Sequence, residues 1–242
     1  RDRTSISGSA SDIQSAYGLE GFDGFGAQDF TVSGQTSVTQ ANVLDALTTG
    51  TVTASITTTE TVDSLKTLTG SNAYAIVIAA ADATGSTAAE FNTINAATTV
   101  AVNLTNVTAL AASSLSDLGT LATAITNNEF SNVTGITTIA VSDTTIDATI
   151  LATAIDSVDT INGAATTNMT LASGATINVD ADEVAAMLAD ETAGRLTITD
   201  QKITVTNPIT VDNANLLTST TTGTVTATIV GTESITELAT LD

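Results

Sequence analysis

Two kinds of segment take turns along the chain: short alternating runs and longer runs of helical period. Residues 51–56, TVTASI, alternate polar and apolar side chains with a period of two, the mark of a half-buried strand. Residues 75–78, 100–104, 138–141, 196–199, 203–205 and 224–229 read the same way, each short and rich in Thr, Val and Ile. Between them the period changes. In 61–68, Val62, Leu65 and Leu68 share one helical face. In 182–188, Asp182 and Glu183 fall in a first turn, where the helix dipole favours acids, and Val184, Met187 and Leu188 turn inward. Ser or Thr precedes several of these runs, as N-caps do.

The segments recur. Residues 48–68 and 221–241 are identical at 13 of 21 positions, among them Gly50/Gly223, Val52/Val225, Ile56/Ile229, Glu60/Glu233, Leu65/Leu238 and Leu68/Leu241. Residues 89–104 align more weakly with 41–56, and 214–229 fit the same frame. The unit is an apolar-periodic segment, a Thr-Thr-Gly-like turn and an alternating segment. A period of about 20–30 residues is that of stacked repeats, none of which can bury its apolar face alone. The pattern therefore predicts a β-rich repeat solenoid, a parallel β-solenoid with short helices and turns; a β-sandwich with Ala-rich loops is the alternative. Residues 1–35 hold most of the aromatics and the densest Gly and read as an atypical N-terminal cap or linker. Residues 36–242 form the repeat region, with the register between 104 and 138 open.

Composition narrows the setting. The 26 acids against 5 bases give a net charge of −21, yet only 13% of residues are charged and 42% are hydrophobic. That hydrophobic content predicts a folded chain rather than an acidic disordered one. With neither Cys nor His, disulfides, thiolate and imidazole metal sites, Cys nucleophiles and His-based triads are excluded. The charge balance is opposite to that of a nucleic-acid binder, and no apolar stretch is long enough for a membrane span. Few bases, no Cys and an excess of Asp over Glu suit an extracellular or cell-surface protein. The first ten residues, RDRTSISGSA, lack the apolar core of a signal peptide and read as a processed end or a cut inside a longer chain.

Acid clusters are the candidate chemistry. Asp180, Asp182 and Glu183 form the densest group, and Glu20, Asp23 and Asp29 lie in a Gly-rich stretch; both sets are oxygen ligands of the kind Ca²⁺ takes, six to eight at a time. The other reading of each is a strand end or helix start that acids solvate. Asp143 with Asp147, and Asp156 with Asp159, allow the same two readings. No carboxylate pair is positioned for glycoside hydrolysis, and seven aromatics without Trp supply no sugar platform, so the chain reads as not an enzyme. Thr-X-Thr pairs at 51/53, 197/199, 204/206 and 224/226/228 put Thr on one strand face, either a binding array or a solvated surface.

SASDIQSAYG, FTVSGQTSVTQANVLDALTTGTVTASI and ETVDSLKTLTG together resemble the Thr/Ala-rich tandem repeats of giant cyanobacterial surface proteins, those of the marine Synechococcus swimming-motility type and their hemolysin-type calcium-binding relatives. The resemblance is most specific over 9–68 and 214–242. It implies secretion, a surface location and a structural or adhesive role, with no catalytic residues. The glycine-rich calcium-binding nonapeptide is absent as a tandem array; residues 21–29 are at best one degenerate copy.

Two functions remain. One is a structural module that self-assembles head-to-tail through its terminal repeats into a filament, sheath or surface layer. The other is an adhesin presenting a Thr-rich face to glycans, a host surface or ice.

Overall fold

The computed structural model describes residues 5–17, 26–161 and 168–241. The strands are β1 (Ser5–Gly8), β2 (Asp29–Thr36), β3 (Val52–Ile56), β4 (Ala73–Ala75), β5 (Val102–Asn103), β6 (Ala109–Ser113), β7 (Phe130–Ser131), β8 (Thr138–Val141), β9 (Thr145–Asp147), β10 (Asn168–Thr170), β11 (Thr176–Val179), β12 (Leu196–Thr197), β13 (Lys202–Val205) and β14 (Val225–Thr226). The helices are α1 (Ala10–Tyr17), α2 (Val38–Leu47), α3 (Val62–Leu65), α4 (Ala88–Ala96), α5 (Leu115–Thr126), α6 (Ala148–Ile161), α7 (Val184–Thr192), α8 (Val211–Thr220) and α9 (Ile235–Leu238).

This is an α/β fold with nine α-helices among the described residues and four sheets of short, parallel strands. The expected β-rich solenoid is overturned, and so is the β-sandwich. The physical reason lies in the segments between strands. Val38–Leu47 and Leu115–Thr126 carry enough helical turns, with Ala and Leu at the right spacing, to outweigh the strand propensity of a Thr-rich chain. A sandwich also needs antiparallel pairing, and every ladder among the described residues is parallel.

The chain forms two compact units, residues 1–109 with 123–135 and residues 110–122 with 136–242. In the first, β1-β2-β3-β4 pair in chain order, β5 pairs with β7, and helices carry the crossovers that parallel pairing requires. Its core is the pair Phe30–Val52 across the sheet, flanked by half-buried Ile6, joined by Ala54 beside Tyr74 and roofed by Ile13, Ala41, Leu44 and Leu65. In the second unit the three periods from β8 to α8 each supply two strands and a helix. The first strand joins β12-β10-β8-β6 and the second joins β14-β13-β11-β9. Buried rows result: Ile139–Met169–Leu196 in one sheet and Ile146–Ile177–Ile203 in the other, where half-buried Val225 ends the row. Each fully buried Ile or Leu contributes roughly 1.5–3 kcal/mol.

Caps set the helix starts. Ser37 with Gln40, Thr87 with Glu90 and Ser234 with Glu237 form reciprocal capping boxes, and the hydroxyls of Thr61 and Thr210 accept from the third helical N–H. No helix among the described residues is long and apolar enough to cross a membrane.

Candidate functional site

Of the acids singled out in the sequence, Glu20 and Asp23 lie outside the described residues. Asp29 starts β2 and accepts a hydrogen bond from the Thr51 N–H at 2.7 Å, which ties β2 to β3. Asp180 accepts from the Thr206 hydroxyl, and its N–H donates to Glu183 at 3.0 Å. Glu183 accepts from Thr149 as well, and Asp182 is exposed. Asp143 and Asp147 bond to different helix starts, the N–H of Leu115 and those of Thr149 and Ile150. Asp159 pairs with Arg195 at 2.5 Å, and Arg195 also pairs with the buried Asp190. Hydrogen bonding to Asp159 raises the Arg195 pKa; burial opposes it and the bond to Asp190 adds to it. Among the described residues no three carboxylates converge on a point that could hold an ion.

The outward strand faces are mixed. Across the first sheet one rank runs Ser7–Thr31–Thr53–Ala73. In the second unit the ranks are Thr145–Thr176–Lys202 and Asp147–Asn178–Thr204–Thr226. A shallow cavity of about 440 Å³ is lined by Asn95, Thr98, Asn127 and Glu129, and an apolar cleft of about 110 Å³ lies between α6 and α7. Its carboxylates, Glu183 and Asp190, are the ones already engaged above.

The chemistry concentrates instead at the joints between successive strand–helix units. A helix start leaves its first N–H groups unpaired. Here a carboxylate from the following unit supplies the acceptor. Glu60 accepts from Val38 N–H at 3.0 Å, Asp82 from Val62 at 3.1 Å, Asp143 from Leu115 at 2.8 Å and Glu233 from Val211 at 3.2 Å, over separations of 20 to 28 residues. Each places negative charge at the positive end of the helix dipole.

The two sequence copies build the joint with a shared set of bonds. Thr48 Oγ1 donates to Gln28 O and accepts from Gly50 N–H; Thr221 does the same with Gln201 O and Gly223 N–H. Thr49 N–H donates to Gly26 O, and Thr222 N–H to Thr199 O, both at 2.7 Å. Asn42 donates to Thr67 O, and Asn215 to Thr240 O. A Cβ on Gly50 would fall 2.6 Å from Gln28 O, and one on Gly223 would meet Gln201 O, which explains both glycines. In the first copy the next unit adds Asn72, buried, whose Oδ1 accepts from Val52 N–H and whose amide donates to Asp45 and Tyr74 Oη. Burial first, then the nearby Asp45 charge, pushes the Tyr74 hydroxyl pKa well up, against the lowering effect of Asn72.

The copies also differ in burial. Val62, Leu65 and Leu68 are buried, whereas the matching Ile235, Leu238 and Leu241 are 87%, 45% and 46% exposed. The matching glutamates were visible as a coincidence between copies, and an acid directly before a Ser or Thr N-cap is the signal that could have assigned their role. Asp82 and Asp143 follow neither signal.

No family model, no curated protein and no solved structure matches this chain.

Proposed function

We propose that this chain is a non-catalytic structural module of an extracellular or cell-surface assembly, a filament, sheath or layer built by adding like units in line. The observation that carries this reading is the repeated joint. Thr48 with Gly50 and Thr221 with Gly223 connect their unit to the preceding one by the same side-chain and backbone bonds. A fold whose joints are interchangeable is one that extends by repetition. The composition supports an extracellular setting, with five bases, no Cys and a net charge of −21. Calcium, on this reading, acts by screening that charge.

Negative-stain microscopy of the purified chain tests it. Elongated polymers or sheets are expected in about 0.15 M salt, where charges more than about 8 Å apart are screened, and they persist when a chelator is added. Dispersed particles at every concentration overturn the reading. Loss of the polymers on chelation replaces the screening role with a specific calcium site.

A further inference from the structure

We propose that the cavity beside the C-terminal ends of α4 and α5 binds a small hydroxylated primary amine in its ammonium form, a molecule with the size and chemistry of an amino sugar. The cavity lies within the first unit, and the inference does not depend on the assembly reading.

The chain contains a closed version of the same joint. α2 and α4 both start on a capping box, and Thr48 and Thr98 hold the matching turns that follow them. The turns packed against these also match. Thr53 lies opposite Ala73 and Asn103 opposite Ser131, so Gly70 corresponds to Asn128, and both are left-handed, at φ 74° and 62°. In the first joint this turn closes on Asp45. Thr69 Oγ1 and the Asn72 amide each donate to its carboxylate at 2.7 Å, and a Cβ on Gly70 would strike it. In the second joint Asn95 stands in the place of Asp45, three residues before Thr98, and the carboxylate is on the turn, as Glu129 in place of Ser71. Phe130 takes the place of Asn72 and has no polar group to offer Asn95. The two sides stand apart around a cavity of about 440 Å³, inside the range of about 300–1,000 Å³ usual for ligand sites.

The wall selects a cation. Half-buried Glu129 accepts from Asn95 Nδ2 at 2.5 Å and from Asn127 Nδ2 at 3.4 Å, and among the described residues it pairs with no base. Asn95 and Ala96 end α4, and Asn127 directly follows α5, so the negative ends of two helix dipoles border the cavity. No Lys or Arg lines it. The other groups select the form of the cation. The wall has no aromatic ring to cage a quaternary ammonium, so the charge must come with N–H donors. The amides of Asn127 and Asn128 and the Thr99 hydroxyl both donate and accept, which suits hydroxyl groups on the same ligand. A single carboxylate gives Ca²⁺ little of the charge that its sites use.

Glucosamine, titrated into ¹⁵N-labelled protein at about 0.02 M salt, is the test. Backbone amide shifts are expected at 95–101 and 127–129, with a Kd of about 1 mM or tighter. Glucose, similar in shape but uncharged, is expected to bind at least about tenfold more weakly. Glu129→Gln keeps an acceptor for Asn95 and loses the charge, so glucosamine binding to it falls by about tenfold or more. Asp212→Asn removes an exposed acid from the second unit and leaves the affinity unchanged. The shift map of the wild-type chain locates the site whether or not the Gln variant folds. Shifts spread over the acidic surface assign diffuse counterion binding and overturn the inference. Glucose binding as tight as that of glucosamine overturns it, as does full affinity in Glu129→Gln. Ca²⁺ moving the same resonances at about tenfold lower concentration assigns a metal site instead and overturns it too. So does the absence of any shift at about 20 mM glucosamine.

Discussion

Gly50 and Gly223 are held by space rather than by backbone angle, since a side chain at either would press on a carbonyl of the preceding unit. Gly50→Ala and Gly223→Ala are each expected to cost about 1–3 kcal/mol in urea unfolding. Gly119, in the middle of α5 with nothing within 4 Å of an added Cβ, makes the opposite case. Gly119→Ala is expected to stabilise by about 0.5–1 kcal/mol in the same assay. Asn72 is the other residue with a sharp expected cost. Asn72→Ala strands the Val52 N–H inside the fold, for a loss of about 2–3 kcal/mol. The sequence exposed the two glycines through their recurrence. It hid Asn72, because nothing local distinguishes a buried Asn that feeds a neighbouring strand from one in a loop.

The strands at 52–56 and 138–141 and the helix start at 62 were legible from alternation and apolar spacing, whereas α7 starts at Val184, so Asp182 and Glu183 precede its first turn instead of lying in it. The expected strand at 75–78 meets β4 only at Ala75, and those at 100–104, 196–199 and 224–229 are longer than the real ones. β12 is only Leu196–Thr197, and β14 only Val225–Thr226. The weak third copy was also misregistered by two residues. Thr98, with Tyr74 O and Val100 N–H, plays the part of Thr48, whereas the sequence frame put Ala96 there. Ala and Thr abundance makes such slips easy. The helix caps supplied in trans belong to this scale. Glu60→Gln keeps an acceptor and removes the charge, and is expected to cost about 0.3–1 kcal/mol, whereas Glu60→Ala also leaves Val38 N–H unpaired and costs about 1–2 kcal/mol. Urea melts of the two variants separate charge from hydrogen bond.

At the scale of the whole chain, charge decides the response to solvent. Glu90 is pushed up by burial, but the bonds from Lys66 and Thr87 hold it below its ordinary 4.5; Ser173 lowers Asp200, and the Ser234 N–H lowers Glu237. Groups depressed in the folded state stabilise it above their unfolded pKa, so this contribution is intact at neutral pH. It is lost as pH falls below about 4.5 and through the folded values, which a pH series of thermal melts reads directly. Lys66, raised to about 12 by its bonds to Asp63 and Glu90, keeps its charge throughout that range. With a net charge of −21, self-repulsion outweighs the few ion pairs. Raising salt from about 0.02 to about 0.5 M is therefore expected to raise the melting temperature by a few degrees, about 2–5 °C. The interchangeable joints have one more consequence, for the gene rather than the fold. A crossover between the stretches encoding TTGTVTA at 48–54 and 221–227 would leave Glu60 facing Val211, or Glu233 facing Val38, with the same partners in the same geometry. Unequal recombination there can thus shorten or lengthen this protein in one step while keeping the hydrogen bonds of Thr48 or Thr221 and of the capping glutamate at the junction.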